Sequence, residues 1–154
     1  MDLEKVREFI TRQLETITES SSVQEAARKM SDHSVSSLVV VNDQGKAIGI
    51  VTERDLSSKV CIGERNARTT TVKEVMSFPL ITVDSQAHPS EAIDIMLQNN
   101  VRHLLVVDNN DIKQTFGMIT PLDFARYGMK KGSTDDETDR DVIDKIQKIL
   151  EYYR

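Results

Sequence analysis

The chain reads Gly49-Ile-Val-Thr-Glu-Arg-Asp55 and returns to the same pattern as Gly117-Met-Ile-Thr-Pro-Leu-Asp123. In both stretches a glycine, a threonine and an aspartate recur at the same spacing, with apolar residues between the first two. An internal repeat indicates a shared supersecondary unit, and adjacent copies usually bury a face against each other. The sequence therefore predicts a duplicated fold in which each copy carries a related binding site.

The duplication extends upstream of both stretches. The residues in register are Val6 with Val72, Leu14 with Leu80, Thr16 with Thr82, Glu25 with Glu91, Met30 with Met96, Leu38 with Leu104 and Val40 with Val106. Between the last pair and the glycines the register slips, and the slip lies among polar residues. A slip at that place predicts a longer hairpin loop in the second copy.

Hydrophobic periodicity and turn signals give both copies the same order of elements. In the first copy we predict a short helix over 3–10, a strand over 14–17, a helix opened by the capping box Ser22-Val-Gln-Glu25, strands over 37–41 and 47–51, and a helix from Thr52 to about Val60. In the second copy His88-Pro89-Ser90-Glu91 opens a helix, Arg102–Val107 and Thr115–Ile119 form a hairpin, and Thr120-Pro121 opens the last repeat helix. The predicted fold class is α/β (α+β), with two β-α-β-β-α repeats.

The chain divides into four predicted regions. Residues 1–60 form the first repeat with its N-terminal helix, 61–71 a polar linker, 72–129 the second repeat, and 130–154 an acidic hinge with a C-terminal amphipathic helix. The apolar stripe of that last helix consists of Val142, Ile143, Ile146, Ile149, Leu150 and Tyr153. We expect this stripe to pack against the body of the protein or against a partner subunit.

Composition excludes several classes of function. A net charge of −5 over 154 residues disfavours nucleic acid as the main partner, because phosphate binding depends on clustered Lys and Arg. The chain has no apolar run long enough to span a membrane and no apolar signal core near its start, so we expect a cytoplasmic protein without a membrane partner. Cys61 and three histidines make no metal spacing, and we expect Cys61 to be buried or half-buried. No catalytic constellation is present in the sequence, which favours a protein that is not an enzyme.

The Thr-x-x-Asp pattern before a helix has two interpretations. In the structural one, the threonine hydroxyl and the aspartate cap the helix reciprocally. In the functional one, the preceding glycine lets a ligand approach the backbone, the helix N-terminus attracts a phosphate, and the carboxylate accepts hydrogen bonds from two vicinal hydroxyls of a ribose. Two occurrences, each after a glycine that ends a hairpin, favour a ribose-and-phosphate site.

With these motifs the sequence resembles a tandem cystathionine β-synthase (CBS) domain pair, the Bateman module, over about residues 6–127. Besides the two Gly-h-x-Thr-x-x-Asp stretches, the resemblance rests on Val23-Gln-Glu-Ala-Ala27, Pro89-Ser-Glu-Ala-Ile93, Leu38-Val-Val-Val-Asn42, Leu104-Leu-Val-Val-Asp108 and Val72-Lys-Glu-Val-Met76. It implies two pseudo-symmetric repeats packed sheet to sheet, with two clefts between them, and assembly as a homodimer. It also implies a regulatory protein that binds adenine nucleotides or adenosine derivatives.

By the resemblance, each cleft joins the threonine and aspartate of one copy to the first strand and hairpin start of the other. The first cleft would use Thr52, Arg54 and Asp55 with Pro79, Leu80, Ile81, Arg102 and His103. The second would use Thr120 and Asp123 with Leu14, Glu15, Thr16, Ser36 and Ser37. The first set is cationic, whereas the second has two serines in place of Arg102 and His103 and contains the anionic Glu15. We therefore expect phosphate in the first cleft, and a neutral or cationic adenosine derivative, or no ligand, in the second.

The predicted function is a non-catalytic regulatory module that senses AMP, ADP or ATP and relays its occupancy to a separate effector protein. One alternative is a structural interaction protein whose clefts no longer bind a ligand. Another is a sensor of S-adenosylmethionine or a different adenosine derivative. We expect no catalytic cofactor and no metal.

Overall fold

The computed structural model of the chain describes residues 5–10, 14–131 and 137–152. In chain order the elements are a 3-10 helical turn Val6–Phe9, β1 Thr16–Thr18, α1 Val23–His33, β2 Ser37–Val41, β3 Ala47–Thr52, α2 Glu53–Asp55 continued by a π-helix Leu56–Cys61, α3 Val72–Val75, β4 Thr82–Asp84, α4 Pro89–Asn99, β5 Leu104–Asp108, β6 Asp111–Ile119, α5 Pro121–Lys131 and α6 Glu137–Tyr152. Within this described part of the chain, no helix is long and apolar enough to cross a membrane.

The elements form two compact units, each built on one three-stranded sheet. The β1–β3 unit comprises Leu14–Leu80, and the β4–β6 unit comprises Met1–Gln13 together with Ile81–Arg154. In both sheets the first strand pairs with the second in parallel, and the second pairs with the third as an antiparallel hairpin. The predicted β-α-β-β-α order of each repeat, and the mixed α and β class, are confirmed.

One apolar face of each repeat helix covers its own sheet. In the β1–β3 unit the buried residues are Ile17, Val23, Ala26, Met30, Leu38, Val40, Val51, Val60, Val72 and Val75. The β4–β6 unit has an equivalent cluster that includes Val83, Ala92, Ile93, Met96, Leu104, Val106 and Ile119. Each fully buried aliphatic side chain contributes about 1.5–3 kcal/mol of transfer free energy.

Each repeat is preceded by a lead-in segment, Val6–Phe9 or Val72–Val75, and each segment packs with the sheet of the other repeat. Val72 donates its N–H to the carbonyl of Ser21 at 2.8 Å, and Val6 donates to the carbonyl of Ala87 at 2.9 Å. These two bonds join equivalent positions of the duplication. The compact units therefore have different bounds from the repeats read along the sequence.

The hairpin of the second copy is longer than that of the first, and its extra residues lie in a strand instead of in the turn. β5 and β6 pair up to Asp108 with Asp111, which leaves only Asn109 and Asn110 in the turn. Both asparagines have positive φ, 49° and 57°, as a tight two-residue turn requires. The extra residues lengthen β6 and are absorbed by irregularities in its pairing beside Val107. The prediction of a longer loop in the second copy is wrong. Asparagine tolerates the left-handed conformation, so two asparagines are enough to close the turn and the extra residues enter the strand.

Helix α6 packs on the β4–β6 unit. Ile146 and Ile149 are buried in its core, and Lys145 Nζ lies 3.1 Å from an oxygen of Asp94 on α4. Ile143 is 52% exposed, so only part of the predicted stripe is buried. The side chains of Val142, Leu150 and Tyr153, and residues 132–136 of the predicted hinge, lie outside the described residues.

The hairpin strands of the second copy run over Leu104–Asp108 and Asp111–Ile119 instead of the predicted Arg102–Val107 and Thr115–Ile119, and three further elements differ in bounds or character. The N-terminal helix is a single 3-10 turn, Val6–Phe9, and residues 1–4 lie outside the described residues. The first strand is Thr16–Thr18, because those are the residues that pair in parallel with β2. The helix after Thr52 has only three α-helical residues before it continues as a π-helix to Cys61.

Cys61 is exposed, so its predicted burial is wrong. The preceding residue, Val60, provides the buried side chain at the end of the π-helix.

Candidate functional site

In the first motif, Thr52 ends β3 and Asp55 closes the short helix α2. The backbone N–H and the hydroxyl of Thr52 donate to Asp55 Oδ2 at 3.0 and 3.1 Å, and the backbone N–H of Asp55 donates to Thr52 Oγ1 at 3.2 Å. The result is a reciprocal capping box, and Asp55 is only 6% exposed. The structural interpretation of the motif is therefore realised, and it fixes the orientation of the carboxylate.

The other oxygen of the same carboxylate has two further donors. Ser77 Oγ donates to Asp55 Oδ1 at 2.9 Å, and Lys59 Nζ lies 2.8 Å from Oδ1. A carboxylate has about four lone-pair sites, so the two donors from Thr52, Ser77 and Lys59 together fill them. Lys59 Nζ also donates to the carbonyl of Val75 at 2.8 Å and lies 3.4 Å from Ser77 Oγ.

Lys59 and Ser77 were not among the predicted site residues. Lys59 did carry a signal, because it follows Asp55 at the i,i+4 spacing of a helical ion pair. Ser77 carried none, because it lies 22 residues from Asp55 and reaches it only through the tertiary fold.

A glycine is required at position 49 because the segment Met76–Ser77 approaches it closely. A Cβ on Gly49 would lie 2.8 Å from the sulfur of Met76 and 2.9 Å from the carbonyl oxygen of Ser77. The approach is that close because Ile50 and Ser77 exchange backbone hydrogen bonds at 2.8 and 3.0 Å. The close contact at Gly49 is therefore made by the protein's own backbone.

The second motif repeats the hydrogen bonds between threonine and carboxylate. The backbone N–H and the hydroxyl of Thr120 donate to Asp123 Oδ2 at 2.8 and 3.1 Å, and Asp123 is 8% exposed. Both repeats therefore present a buried carboxylate at the start of a helix, oriented by the threonine three residues before it.

The remaining residues of the first predicted set lie in both units. Arg54 is exposed on α2; Pro79 is exposed and Leu80 half-buried at the end of the β1–β3 unit; Ile81, Arg102 and His103 are half-buried in the β4–β6 unit, ahead of β4 and β5. The carbonyl of Ile81 accepts a hydrogen bond from the N–H of Leu105 at 3.1 Å, which holds it beside β5. The grouping of Arg102 and His103 with Thr52 and Asp55 stays a prediction.

The residues assigned to the second set from the first repeat are Leu14, Glu15, Thr16, Ser36 and Ser37, all in the β1–β3 unit. Ser37 pairs with Thr52 in the hairpin, and the carbonyl of Ser36 accepts from the N–H of Glu53 at 3.1 Å. These two serines therefore lie beside the first motif within their own unit. Their grouping with Thr120 and Asp123 stays a prediction.

The charge of Glu15 is paired within its own unit. Its carboxylate lies 3.1 Å from His33 Nδ1 and 3.9 Å from Lys29 Nζ, and Lys29 also donates to the carbonyl of Thr16 at 2.6 Å. The argument that Glu15 repels a phosphate is weaker than its sequence position suggested, because a nearby cation offsets the charge.

Among the described residues, no group of three or more His, Cys, Asp and Glu side chains could hold a metal ion.

The family model described as CBS domain matches residues 6–61 and 72–130, which together are most of the sequence. The chain belongs to the CBS domain family and contains two copies of the domain.

Relatives by sequence include an uncharacterized protein of Methanopyrus kandleri, 34% identical over 121 residues. That match covers 79% of this chain and 61% of the relative, so the chain spans less than two thirds of that protein. The CBS domain-containing protein YhcV of Bacillus subtilis is 32% identical over 110 residues, which cover 71% of this chain and 77% of YhcV.

Solved structures share the fold. An uncharacterized conserved protein of Pyrococcus horikoshii superposes with a TM-score of 0.75 at 26% identity, covering 88% of this chain and 99% of the other. The CBS domain pair of protein MJ0100, in complex with 5′-methylthioadenosine and S-adenosyl-L-methionine, has a TM-score of 0.73 at 24% identity, covering 85% and 100%. The CBS domain protein PAE2072 of Pyrobaculum aerophilum, complexed with AMP, has a TM-score of 0.71 at 17% identity, covering 96% and 99%.

Proposed function

We propose that this chain is a regulatory, non-catalytic module that binds an adenosine-containing small molecule and relays its occupancy to a separate partner protein. The observation that carries the proposal is the buried carboxylate held by a threonine at the helix start of each repeat. Such a carboxylate is suited to two vicinal ribose hydroxyls. The complexes of MJ0100 and PAE2072 support the choice of ligand class, since both proteins share the fold and hold adenosine derivatives.

The preferred ligand is an adenine nucleotide at the first motif, with its ribose on Asp55. Arg54 is exposed one residue away and offers a guanidinium, which binds phosphate through paired hydrogen bonds. The proposal also assigns phosphate to Arg102 and His103, on the resemblance stated above. S-adenosylmethionine or another cationic derivative is the alternative ligand, and the second motif is the place where we would seek it.

A second candidate function is a structural interaction protein that binds no ligand. The observation that favours it is the complete set of hydrogen-bond donors on Asp55, which accounts for the residue without any ligand. The two functions differ in a measurable way. A purely structural Asp55 affects unfolding only, whereas a binding Asp55 also affects the response to nucleotide.

The test is a thermal-shift panel of AMP, ADP, ATP, S-adenosylmethionine and adenosine, followed by titration calorimetry. A ligand at 100 times its Kd adds about 2.7 kcal/mol of apparent stability, which is a large shift for a domain of this size. For AMP we expect about one site per chain. Asp55→Ala should weaken it by about 10- to 100-fold, because it removes a charged hydrogen bond worth about 1.5–3 kcal/mol.

Asp123→Ala and Asp43→Ala are the matched controls, the first in the other motif and the second in an exposed turn. Both should change AMP affinity by less than about twofold. Asp55→Asn serves as the milder variant if Asp55→Ala unfolds. No response to any ligand of the panel would favour the structural candidate, and loss of AMP binding in Asp123→Ala alone would show that the second motif is the nucleotide site.

We also propose that the chain forms a homodimer. Ile143 on α6 and Leu97 on α4 are 52% and 37% exposed, and these two helices pack against each other. Contiguous apolar patches on a surface often meet a partner, and we infer that these two helices contribute to such a patch. Light scattering at tens of micromolar should give twice the chain mass of 17.4 kDa; a mass equal to that of one chain would contradict the dimer.

A further inference from the structure

We propose that Lys59 is a latch on the first motif. Its ammonium occupies the Asp55 oxygen that a ribose hydroxyl needs and ties that oxygen to the segment Val75–Ser77, so ligand binding displaces Lys59 and loosens the segment. The inference rests on the proposed function, since it takes Asp55 as the carboxylate that binds the ribose.

The acceptor capacity of Asp55 leads to this competition. Oδ2 accepts from the N–H and hydroxyl of Thr52, both part of the helix cap, and those bonds persist as long as α2 is formed. Oδ1 accepts from Ser77 and Lys59. A ribose hydroxyl that donates to this carboxylate must take a place on Oδ1, because exchanging a donor on Oδ2 would break the cap.

Lys59 is the donor that can leave. Its side chain is 42% exposed, whereas that of Asp55 is 8% exposed, so the ammonium can move into water while the carboxylate stays buried. A lysine stem has four rotatable bonds, and an ammonium in water is well solvated. Ser77 Oγ has two lone pairs of its own and can accept from the ribose after it loses its contact with Lys59.

Displacement of Lys59 reaches beyond the carboxylate because Lys59 also holds the segment that follows α3. Its Nζ donates to the carbonyl of Val75 at 2.8 Å and lies 3.4 Å from the hydroxyl of Ser77. Without Lys59 the segment keeps its backbone bonds to Ile50 and the hydrogen bond from Ser77 to Asp55, and it loses the hydrogen bond that Lys59 donates to the carbonyl of Val75. The same segment runs on through residues 78–81 into β4.

Lys59 itself is specific to the first copy. The offset that pairs Gly49 with Gly117 pairs Lys59 with Tyr127 in the sequence. A tyrosine carries no charge at neutral pH, so the second copy has no lysine at this position. The proposed competition between Lys59 and a ribose hydroxyl therefore applies to the first motif.

The first experiment compares adenosine with 2′,3′-dideoxyadenosine by calorimetry in wild type and Lys59→Met. Methionine keeps the length of the side chain and removes the ammonium. We expect adenosine to bind about fivefold more tightly to Lys59→Met, which corresponds to about 1 kcal/mol. Dideoxyadenosine, which lacks the competing hydroxyls, should bind both proteins equally. Lys59→Arg restores a cation and should return adenosine affinity to the wild-type value.

Lys73→Met is the matched control, since Lys73 is an exposed lysine on α3 in the same unit. It should change neither affinity. If Lys59→Met does not fold, Lys59→Gln, which removes the charge but keeps a polar side chain, takes its place and should strengthen adenosine binding by about twofold.

The outcomes separate this inference from the proposed function. Adenosine that binds wild type and Lys59→Met equally, or binds Lys59→Met more weakly, overturns the latch and leaves the proposed function standing. Absence of adenosine and AMP binding in both proteins overturns the proposed function, and the latch with it. An equal gain for adenosine and dideoxyadenosine also overturns the latch, because the gain would not depend on the ribose hydroxyls.

The second experiment is hydrogen exchange at single amides. The N–H of Ser77 donates to the carbonyl of Ile50 and reports on the segment. Ligand binding normally slows exchange throughout a domain. The latch requires the opposite at one place: saturating adenosine should slow exchange at Asp55 and speed it at Ser77, and Lys59→Met should speed it at Ser77 without ligand. Slower exchange at Ser77 with adenosine overturns the coupling.

Discussion

The Thr52–Asp55 and Thr120–Asp123 motifs share one sequence pattern and the same hydrogen bonds from threonine to carboxylate, yet their surroundings differ. Asp55 also accepts from Ser77 and is paired with Lys59, and Tyr127 stands at the position equivalent to Lys59. The motif itself therefore determines the hydrogen bonds from threonine to carboxylate, and residues outside it determine which charges surround the carboxylate.

The largest effect that follows from this difference is on unfolding. Asp55→Ala removes a cap worth about 1 kcal/mol and leaves two further donors without their acceptor, each worth about 1 kcal/mol. We expect it to lower the free energy of unfolding by about 3 kcal/mol, and denaturant unfolding at pH 7 without ligand measures the loss.

The double variant Asp55→Ala with Lys59→Met sharpens this comparison. Because Lys59 is partly exposed and solvent screens the pair, its coupling to Asp55 should be about 0.5–1 kcal/mol. Zero coupling would mean that the ion pair with Lys59 adds nothing to the stability that Asp55 contributes.

Much of this fold could be predicted from the sequence, because its signals are local or periodic. Ser22 and Glu25 form the predicted capping box, and Val23, Ala26 and Met30 are the buried face of α1. The hydrogen bond from Ser77 to Asp55 could not be predicted, since it depends on the backbone pairing of Ser77 with Ile50, which is far from it along the chain. The packing of each lead-in segment on the sheet of the other repeat could not be predicted for the same reason. An apolar face predicts burial but does not identify the sheet that buries it.

Because each lead-in segment packs on the sheet of the other repeat, the two units can be perturbed separately. Val72 and Val6 are equivalent residues and both are fully buried, so each Val→Ala change should cost about 2 kcal/mol. The physical difference lies in which unit loses the contact. Val72→Ala should speed hydrogen exchange in β1–β3, and Val6→Ala in β4–β6, measured at the amides of β2 and β5. If Val72→Ala instead sped hydrogen exchange in β4–β6, and Val6→Ala in β1–β3, the packing of each lead-in segment on the sheet of the other repeat would be contradicted.

Helix α6 packs on α4 within the β4–β6 unit, and Lys145 joins the two helices through Asp94. Burial by itself lowers the pKa of Lys145, but hydrogen bonds to Asp94 and Asp141 outweigh it and raise the pKa above the ordinary 10.5. A raised pKa means that the stabilisation is present below about pH 10.5 and is lost as the pH rises through the folded value. Lys145→Met should therefore cost about 0.5–1 kcal/mol at pH 7 and nothing measurable above the raised pKa, in denaturant unfolding across pH 7–12. Lys148→Met, on an exposed position of the same helix, is the control.

The smallest effect compares the starts of the two lead-in segments. The Thr71 N–H and hydroxyl donate to Glu74 Oε2 at 2.7 and 3.1 Å, whereas the equivalent pair in the first repeat, Lys5 and Glu8, has one backbone bond at 3.4 Å. The two bonds from Thr71, with Arg65 nearby, lower the pKa of Glu74 below 4.5. A lowered pKa contributes stability above the unfolded value, and that stability is lost as the pH falls through the folded one. Glu74→Gln should therefore lower Tm slightly at pH 7, and the difference from wild type should vanish as the pH falls towards 3. Glu8→Gln, where the bond is long, should show a smaller difference at pH 7; an equal or larger one would mean that Thr71 adds nothing to its cap.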